Sequence, residues 1–284
     1  YNIILIENAP SIILNLKKNI KGKYILHLHN DISIISHYHQ CLEKYDLIIS
    51  CSNYIKNRVE SFYLSANVVN VYNGVDNSQL LQYASYRDKM RCLFKINKSD
   101  FVFGYCGRIC SEKGIKELIL AFKRLLSTHS NIKLLIAGSS FFKGARETPF
   151  INELRKDICG IENSIIFTGY IEHSEIGKFF ASIDVSVHPS IVNEACPLSV
   201  LEAQAFGLPI ICSDSGGMPE LVTSKNSIIV SRTDLEDHLF KAMENILNDF
   251  QQISKMKKAS YKNSRQYNLD KYVKKFYKEI GGTL

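Results

Sequence analysis

Residues 184–205 constrain the fold and the chemistry of this chain more than any other stretch. Residues 184–188 alternate polar and β-branched side chains, which predicts a short strand. Pro189 ends that strand, and Pro197 suits the first position of a helix because the N–H that proline lacks would have no partner there. A strand, a loop and a helix in this order form the repeating unit of an α/β protein with a parallel sheet.

Two glutamates lie in this stretch, with seven residues between them. Glu194 belongs to the loop at the carboxyl end of the predicted strand, where open α/β sheets bind ligands. Glu202 falls on a helix face that is otherwise apolar and should be buried. A buried carboxylate needs hydrogen-bond donors, which the two hydroxyls of a ribose would supply. An exposed loop Glu194 and a capped or salt-bridged Glu202 are the structural alternative. The predicted face consists of Leu198, Leu201, Glu202 and Ala205.

Strands alternate with helices along the whole chain, which predicts two α/β units with parallel sheets. The first unit has predicted strands at residues 3–6, 24–28, 46–50 and 68–72, and predicted helices at 11–20 and 52–62. A linker with one helix follows at residues 77–100. The second unit has predicted strands at 101–106, 132–137, 164–168, 184–188, 209–213 and 227–230, with helices at 115–127, 148–158, 174–182, 197–206 and 235–247. Two amphipathic, basic helices are predicted at 253–265 and 270–280.

Two cations, Arg108 and Lys113, lie between the first strand of the second unit and the helix after it. A guanidinium can bind two oxygens at once, and an ammonium group acts as a point charge. The N-terminus of the helix adds free N–H donors. Together these groups suit a diphosphate, although a pair of surface cations near a turn is the structural alternative.

Composition and charge exclude some classes of binding partner and favour others. The net charge is +7, with a local cluster at Lys17, Lys18, Lys21 and Lys23 that could face anionic lipid or anionic substrates. Aromatic residues do not interleave with basic ones as in nucleic-acid motifs, so no nucleic acid is expected. No apolar run is long enough to span a membrane. The eight cysteines form no C-x-x-C pair, which favours a reduced, cytoplasmic protein.

Four histidines form two H-x-H pairs, His27 with His29 and His37 with His39. On a strand, His27 and His29 would share a face, an arrangement that could suit zinc. The spacing matches no zinc motif, and the sequence offers no clear third and fourth ligand. We therefore expect no metal site, and a buried structural histidine is the main alternative to a functional one.

The motifs together resemble a known family. Glu194-Ala-Cys-Pro-Leu-Ser-Val-Leu-Glu202, with Gly207 and Pro209 beyond it, resembles the E-x7-E motif of glycosyltransferase family 4, retaining enzymes of the GT-B fold. Residues 107–114, with Arg108 and Lys113, resemble its G-R-x-x-x-x-K-G segment. Residues 216–220 resemble its G-G-x-x-E loop, which is expected to be structural. Many members have Gly-Phe-Gly after the first glutamate, where this chain has Ala-Cys-Pro.

The resemblance implies an α/β chain of the GT-B fold with two Rossmann-like domains, of which the N-terminal one is incomplete. Residues 1–76 would form the partial, acceptor-side domain and 77–265 the nucleotide-sugar-binding domain. Residues 266–284 would form a helix that returns to the first domain. We expect this fragment to be a poor catalyst alone, because a missing N-terminal part would carry a glycine-rich loop and much of the acceptor site.

The implied reaction moves a sugar from a nucleoside diphosphate sugar, expected to be a UDP rather than a GDP sugar, to a glycan or lipid-linked acceptor. Retention at the anomeric carbon and independence of metal cofactors are implied by the resemblance, as is a role in bacterial-type surface polysaccharide or glycoconjugate synthesis. We expect a cytoplasmic protein, with a peripheral contact at the inner face of the plasma membrane as an option. A nucleotide-sugar 2-epimerase of the same fold and a non-catalytic nucleotide-sugar-binding subunit are the alternatives.

The resemblance also assigns roles to residues. Arg108 and Lys113 would hold the diphosphate and stabilise the leaving group, Glu194 would bind hydroxyls of the donor sugar, and Glu202 would bind the ribose. His29 would lie beside the reacting sugar. The remaining expected donor contacts are Tyr170 and Ile171 near the base, together with Cys196, Pro197 and Leu198.

Overall fold

Two parallel sheets form the framework of the chain. The computed structural model describes residues 3–16, 20–31, 39–140 and 148–281. The first sheet has the strand order β1-β2-β3-β4, and the second has the order β10-β9-β8-β5-β6-β7. All strand pairs within each sheet are parallel, so the loops that follow the strands within a sheet meet at one edge.

The strands agree with the predicted ones to within a few residues. They are β1 Ile3–Glu7, β2 Lys23–Leu28, β3 Leu47–Ser50, β4 Val68–Asn70, β5 Phe101–Cys106, β6 Ile132–Ala137, β7 Ile165–Gly169, β8 Val185–His188, β9 Ile210–Ser213 and β10 Ser227–Val230. The α-helices of the described residues are α1 His39–Leu42, α2 Asn53–Phe62, α3 Asn77–Leu81, α4 Arg87–Leu93, α5 Ile115–Leu125, α6 Pro149–Asp157, α7 Ile176–Ser182, α8 Leu198–Ala205, α9 Leu235–Asn248, α10 Phe250–Ser264 and α11 Leu269–Ile280.

The helix predicted at residues 11–20 is wrong where the structure describes it. Pro10–Asn15 form a 3-10 helix, with Ala9 rather than Ser11 at its N-cap. The β-branched residues Ile12 and Ile13 lower the preference for a regular α-helix, and short 3-10 segments are common connectors. Residues 17–19, which include two lysines of the basic cluster, lie outside the described residues.

The predicted linker holds two α-helices rather than one. The side chain of Asp76 accepts hydrogen bonds from the backbone N–H groups of Ser78 (2.9 Å) and Gln79 (3.1 Å), which starts α3. A 3-10 turn at Ala84–Tyr86 then leads into α4. The sequence signal for this helix is the aspartate N-cap at Asp76, which stands directly before the predicted linker.

Burial departs from the sequence pattern at two places. The strand predicted at residues 3–6 is apolar throughout, but in β1 only Ile6 is buried, because this strand is the edge of its sheet in the described chain and leaves Ile3 and Leu5 about two-fifths exposed. In α8, Leu198 is 41% exposed, whereas the other members of its predicted face are buried. The helix begins at Leu198, with Pro197 as its N-cap rather than its first residue, so Leu198 lies at the rim of a cavity.

The last helix, α11, lies against the first sheet. Its aromatic residues Tyr272 and Phe276 pack on a small buried cluster of that sheet, formed by Ile25, Leu47, Ile49 and Val71. Two distant parts of the chain also meet here, because the backbone N–H of Val75 donates a hydrogen bond to the carbonyl oxygen of Tyr267 (2.8 Å). None of the helices in the described part of the chain combines the length and hydropathy of a membrane span.

A buried ion pair ties α4 to the second sheet. The carboxylate of Asp184, which precedes β8, accepts hydrogen bonds from Arg91 (2.7 Å) and from the N–H of Val102 (2.9 Å). Arg91 is 3% exposed and also donates to the carbonyl of Ser182. Burial lowers the pKa of Arg91, and the charge of Asp184 opposes that shift. A buried charge of this kind is stable only while its partner is present.

Replacing Arg91 with alanine is therefore expected to destabilise the fold. Among the described residues, the change leaves the Asp184 carboxylate with only the partly exposed Arg87 as a charged partner, so we expect the free energy of unfolding to fall by about 3 kcal/mol. Urea unfolding followed by circular dichroism measures this. The control is Lys98→Ala, which breaks an exposed pair with Asp88 and should cost at most about 0.5 kcal/mol. Equal losses in the two variants would contradict the assignment.

Candidate active site

Three cavities meet at Arg108, in the loop after β5. One of about 360 Å³ is lined by the loops after β6 and β7, with Gly138, Tyr170 and Ile171. A second, of about 180 Å³, lies over the end of β8 and the loop that holds Glu194. A third, of about 710 Å³, extends from Glu194 to the carboxyl end of β2. Arg108 is exposed and lines all three cavities, so a ligand could run along them past one guanidinium.

Lys113 and Glu194 form an ion pair between the second and third cavities. The Nζ of Lys113 donates to the Oε1 of Glu194, and both side chains are less than one-fifth exposed. The hydroxyl of Ser190 donates to the same oxygen (2.6 Å), and the N–H of Glu194 donates to the hydroxyl of Ser215 (3.0 Å). The carboxylate is thus held in place, with its charge partly balanced. The predicted sugar-binding and phosphate-binding groups are neighbours.

The start of α8 offers backbone donors to the same cavities. No side chain caps this helix, whose N-cap is Pro197. The uncapped N-terminus of a helix favours anionic groups such as phosphate. Pro197 lines the second and third cavities, Cys196 the third, and Leu198 the first. The structure therefore brings these three predicted donor contacts to the same edge as Arg108.

Glu202 is buried on α8 and lines none of the three cavities. Its Oε1 lies 2.8 Å from the Nε2 of His173, which belongs to the 3-10 turn after β7. The side chain of Glu202 is 5% exposed, whereas that of His173 is 70% exposed and lines the first cavity. The hydrogen bond to Glu202 raises the pKa of His173, and burial opposes the shift. The expected donors to this carboxylate are therefore already supplied, in part, by a histidine that the sequence analysis did not single out.

His29 lies across the third cavity from Glu194, at the end of β2. Its Nε2 is 3.3 Å from the Oε2 of Glu7, and its backbone N–H donates to the side chain of Asn8 (3.2 Å). Glu7 also approaches the Nδ1 of the buried His27 (3.0 Å). Desolvation, and then the neighbouring His29, lower the pKa of His27. One carboxylate from β1 thus orients two imidazoles from β2.

The same three side chains are a possible ligand set that sequence reasoning missed. The candidate ligand atoms of Glu7, His27 and His29 all lie within 4.8 Å of one another. Oε2 of Glu7 approaches both imidazoles at hydrogen-bonding distance, so these groups can satisfy one another without an ion. The Nε2 of His27 has no hydrogen-bond partner among the described residues, unlike the usual metal-bound histidine. The side chains of His37 and His39 lie outside the described residues.

Glu220 joins the two sheets behind the cavities. Its carboxylate accepts hydrogen bonds from the N–H groups of Asn53 (2.8 Å) and Tyr54 (2.6 Å) at the start of α2, and from the hydroxyl of Tyr72 (2.8 Å). Burial, and next the hydrogen bond to Glu220, raise the pKa of Tyr72, so the phenol stays protonated and donates. Glu220 therefore has a structural role, as an anion that caps a helix of the other sheet.

A further polar group under the cavities is buried and fixed. His188, the last residue of β8, is 5% exposed, and its Nε2 lies 2.9 Å from the hydroxyl of Ser186. Burial lowers the pKa of His188 to about 3, so this imidazole is neutral at physiological pH. The uncharged imidazole of His188 lines the second cavity. The position of His188 at a strand end is the one sequence signal for this role.

Comparison with known proteins agrees with this site. Residues 87–263 match the family model described as Glycosyl transferases group 1. Over 226 residues, the chain is 27% identical to the lipopolysaccharide 1,2-N-acetylglucosaminetransferase of Salmonella typhimurium. That match covers 78% of this chain and 57% of the relative, so the chain spans little more than half the length of that protein.

Solved structures show the same fold. The crystal structure of HepE from Anabaena, in complex with UDP and glucose, has a TM-score of 0.83 and 20% identity, and the match covers 100% of this chain and 78% of that one. Sucrose-phosphate synthase from Thermosynechococcus elongatus has a TM-score of 0.83 and 18% identity, with 99% of this chain and 74% of that one covered. The prediction of an α/β chain with two Rossmann-like units of the GT-B type is confirmed.

The contact made by Glu220 can be tested directly. Glu220→Ala removes the acceptor of two helix N–H groups and a phenol, so we expect the free energy of unfolding to fall by about 2 kcal/mol. Amide exchange at Asn53 and Tyr54 should speed up in the same variant. Glu60→Ala, which breaks an exposed pair within α2, should change stability by about 0.5 kcal/mol or less. Unchanged exchange at the start of α2 would show that Glu220 does not cap this helix.

Proposed function

Because the chain belongs to the family described as glycosyl transferases group 1, we propose that it moves a sugar from a nucleoside diphosphate sugar to an acceptor in the cleft between its two sheets. The observation that carries this proposal is the convergence of Arg108, Lys113 and Glu194 on three adjoining cavities, with His29 on the opposite side. Cations next to a buried carboxylate suit a ligand that is anionic at one end and a polyol at the other.

The cavities suggest how the donor lies. We place the base and ribose in the first cavity, beside Tyr170 and Ile171, with the ribose next to His173, which hydrogen-bonds Glu202. The diphosphate would lie between Arg108 and the uncapped start of α8. The hexose would occupy the third and largest cavity, which both Glu194 and His29 line. This order places the bond that breaks, between the sugar and the diphosphate, next to the Lys113–Glu194 pair.

The proposed chemistry is the departure of the nucleoside diphosphate. As the bond between the anomeric carbon and the phosphate oxygen breaks, its electron pair leaves with the diphosphate, and Arg108 and Lys113 stabilise the new negative charge. The sugar becomes oxocarbenium-like, and Glu194 holds its hydroxyls and lies near the positive charge. The acceptor oxygen then bonds to the anomeric carbon and passes its proton to the diphosphate oxygen that has just left. We propose that attack occurs on the face that the diphosphate leaves, with retention and without a metal cofactor.

The identity of the substrates is part of the proposal. A UDP sugar is supported by the HepE complex, which contains UDP and glucose. A glycan or lipid-linked acceptor is supported by the name of the Salmonella relative, which refers to lipopolysaccharide. A role in the synthesis of a bacterial-type surface polysaccharide or glycoconjugate, in the cytoplasm and against the inner face of the plasma membrane, follows from these two substrates. The net charge of +7 suits an anionic membrane surface.

A nucleotide panel tests the donor site. UDP, GDP and ADP, with their glucose derivatives, are added to the purified chain, and the melting temperature and the Kd by calorimetry are measured. We expect at least one UDP ligand to bind, and Arg108→Ala to weaken it about tenfold or more, because a charge-assisted hydrogen bond to phosphate is lost. Arg265→Ala, a change at an exposed arginine that lines none of the three cavities, is the control. Equal binding by the wild type and Arg108→Ala would count against the site.

The role of Glu194 separates sugar binding from nucleotide binding. Glu194→Gln should lower turnover of the UDP sugar by roughly a hundredfold, because the charge near the oxocarbenium-like carbon is lost. The Kd of UDP, which lacks the sugar, should stay within about threefold. Release of UDP and formation of product are followed with and without acceptor. An epimerised sugar product formed without acceptor would point instead to the 2-epimerase alternative.

A further inference from the structure

The carboxylate expected to bind the ribose is closed off in this structure. Glu202 has a side chain that is 5% exposed and lines none of the three cavities, although α8 begins at their rim. His173 lies over it, with Nε2 at 2.8 Å from Oε1. A ribose hydroxyl can donate to this carboxylate only if one of its oxygens is accessible, and here the side chain is almost fully buried and in contact with His173. The ribose therefore needs His173 to move.

The position of His173 keeps the free-energy cost of this movement low. The residue belongs to a three-residue 3-10 turn, His173–Glu175, and its side chain is 70% exposed. The one side-chain hydrogen bond of His173 among the described residues is the contact with Glu202. In contrast, Glu202 is fixed within α8, where both neighbours, Leu201 and Ala203, are fully buried. Of the two partners, only the histidine can give way without disturbing the core.

We propose that His173 is a gating residue of the donor site: its imidazole covers the carboxylate of Glu202 in the free protein, and the ribose hydroxyls of the donor displace it. The inference rests on the proposed function, since it assumes that a nucleotide occupies the first cavity. It assigns to His173 a part in setting donor affinity that neither spacing nor motif indicates. His173 does not touch the reacting atoms and is not a catalytic residue.

The gate makes donor binding depend on pH. A protonated His173 forms an ion pair with Glu202, and this pair raises the pKa of the histidine in the free protein. Displacement by ribose removes the partner and lowers that pKa again. The stabilisation of the closed state is present at low pH and is lost as the pH rises through the raised pKa of His173. Donor affinity should therefore increase from acidic to slightly alkaline pH.

The other ionisable groups around this pair do not produce the same effect. Cys106, on β5, lies near Glu202, and burial raises the pKa of its thiol, so it stays neutral. Arg108, in the loop after β5, lines the same cavity, and a guanidinium keeps its proton in proteins. Glu172, which precedes the turn of His173, and Glu175, the last residue of that turn, are exposed carboxylates. His173 is the side chain that hydrogen-bonds Glu202, and an imidazole is the side-chain type that changes charge near neutral pH.

The experiment measures the Kd of a UDP sugar at pH 5.5 and pH 8 by calorimetry. A nucleotide sugar is used because its two phosphates carry no proton that titrates in this range, unlike free UDP. For the wild type, we expect the affinity to be about threefold to tenfold higher at pH 8, because a neutral imidazole makes a weaker hydrogen bond to Glu202 than a charged one. His173→Ala should bind at pH 5.5 as tightly as the wild type does at pH 8, with no more than a twofold change between the two pH values.

Matched variants test whether the pH dependence of donor binding is due to His173. His173→Gln keeps an N–H donor near the position of Nε2 but does not titrate, so it should bind more weakly than His173→Ala and show no pH dependence. His129→Ala removes a histidine near the opposite ends of the strands and should keep the wild-type pH dependence. An NMR titration of the wild type should show the pKa of His173 above its ordinary value, and a fall when the UDP sugar saturates the site.

Several outcomes would overturn the inference. If His173→Ala keeps the wild-type pH dependence, or if it binds the UDP sugar more than threefold more weakly than the wild type at pH 8, His173 is not a gate. A pKa of His173 that does not change on saturation leads to the same conclusion. Failure of the wild type and of His173→Ala to bind any nucleotide sugar at either pH would overturn the proposed donor site as well, and this result is distinct from binding without a gate.

Discussion

The close approach of backbone loops at the carboxyl edge of the second sheet is the constraint on which the site depends. A Cβ atom on Gly138 would lie 1.8 Å from the carbonyl oxygen of Gly107, and one on Gly114 would lie 1.9 Å from that of Pro189. Both glycines have positive φ angles, which residues with side chains rarely adopt. Only without side chains at these two positions can the loops after β5, β6 and β8 touch. Their contact is what places Arg108 and Lys113 within reach of Glu194.

The two carboxylates of this edge are each paired with a basic side chain. Lys113 is paired with Glu194, and Glu202 is paired with His173. Each pair reduces the cost of keeping a carboxylate away from water before substrate arrives. A bound donor would replace these partners with phosphate, sugar and ribose, so part of the interaction energy is exchanged rather than gained. The affinity of the site for a donor would therefore depend on the difference in free energy between the ion pairs of the free protein and the contacts made with the donor.

Site residues within one strand–loop–helix unit could be predicted from the sequence. Contacts between side chains of different units could not. Arg108, Lys113 and Glu194 stand at strand ends, and the parallel sheet alone implies that such positions share an edge. In contrast, Glu7 meets His29 because β1 pairs with β2, and His173 meets Glu202 because the turn after β7 reaches α8. Neither contact has a periodic signal, since each depends on how two elements pack. The 3-10 helix at Pro10–Asn15 was missed for a related reason, because periodicity cannot distinguish a short 3-10 segment from an α-helix.

The C-terminal helix supports the site from the far side of the first sheet. Phe276 of α11 packs against the ring of His27, with ring centroids 5.0 Å apart, and His27 shares the Glu7 carboxylate with His29. A chain of contacts thus runs from α11, through a buried imidazole and one carboxylate, to the histidine that faces Glu194. Glu220 makes a second connection, from the other sheet to α2. Because both connections join segments far apart in sequence, the cleft can take its shape only when both sheets are formed and docked.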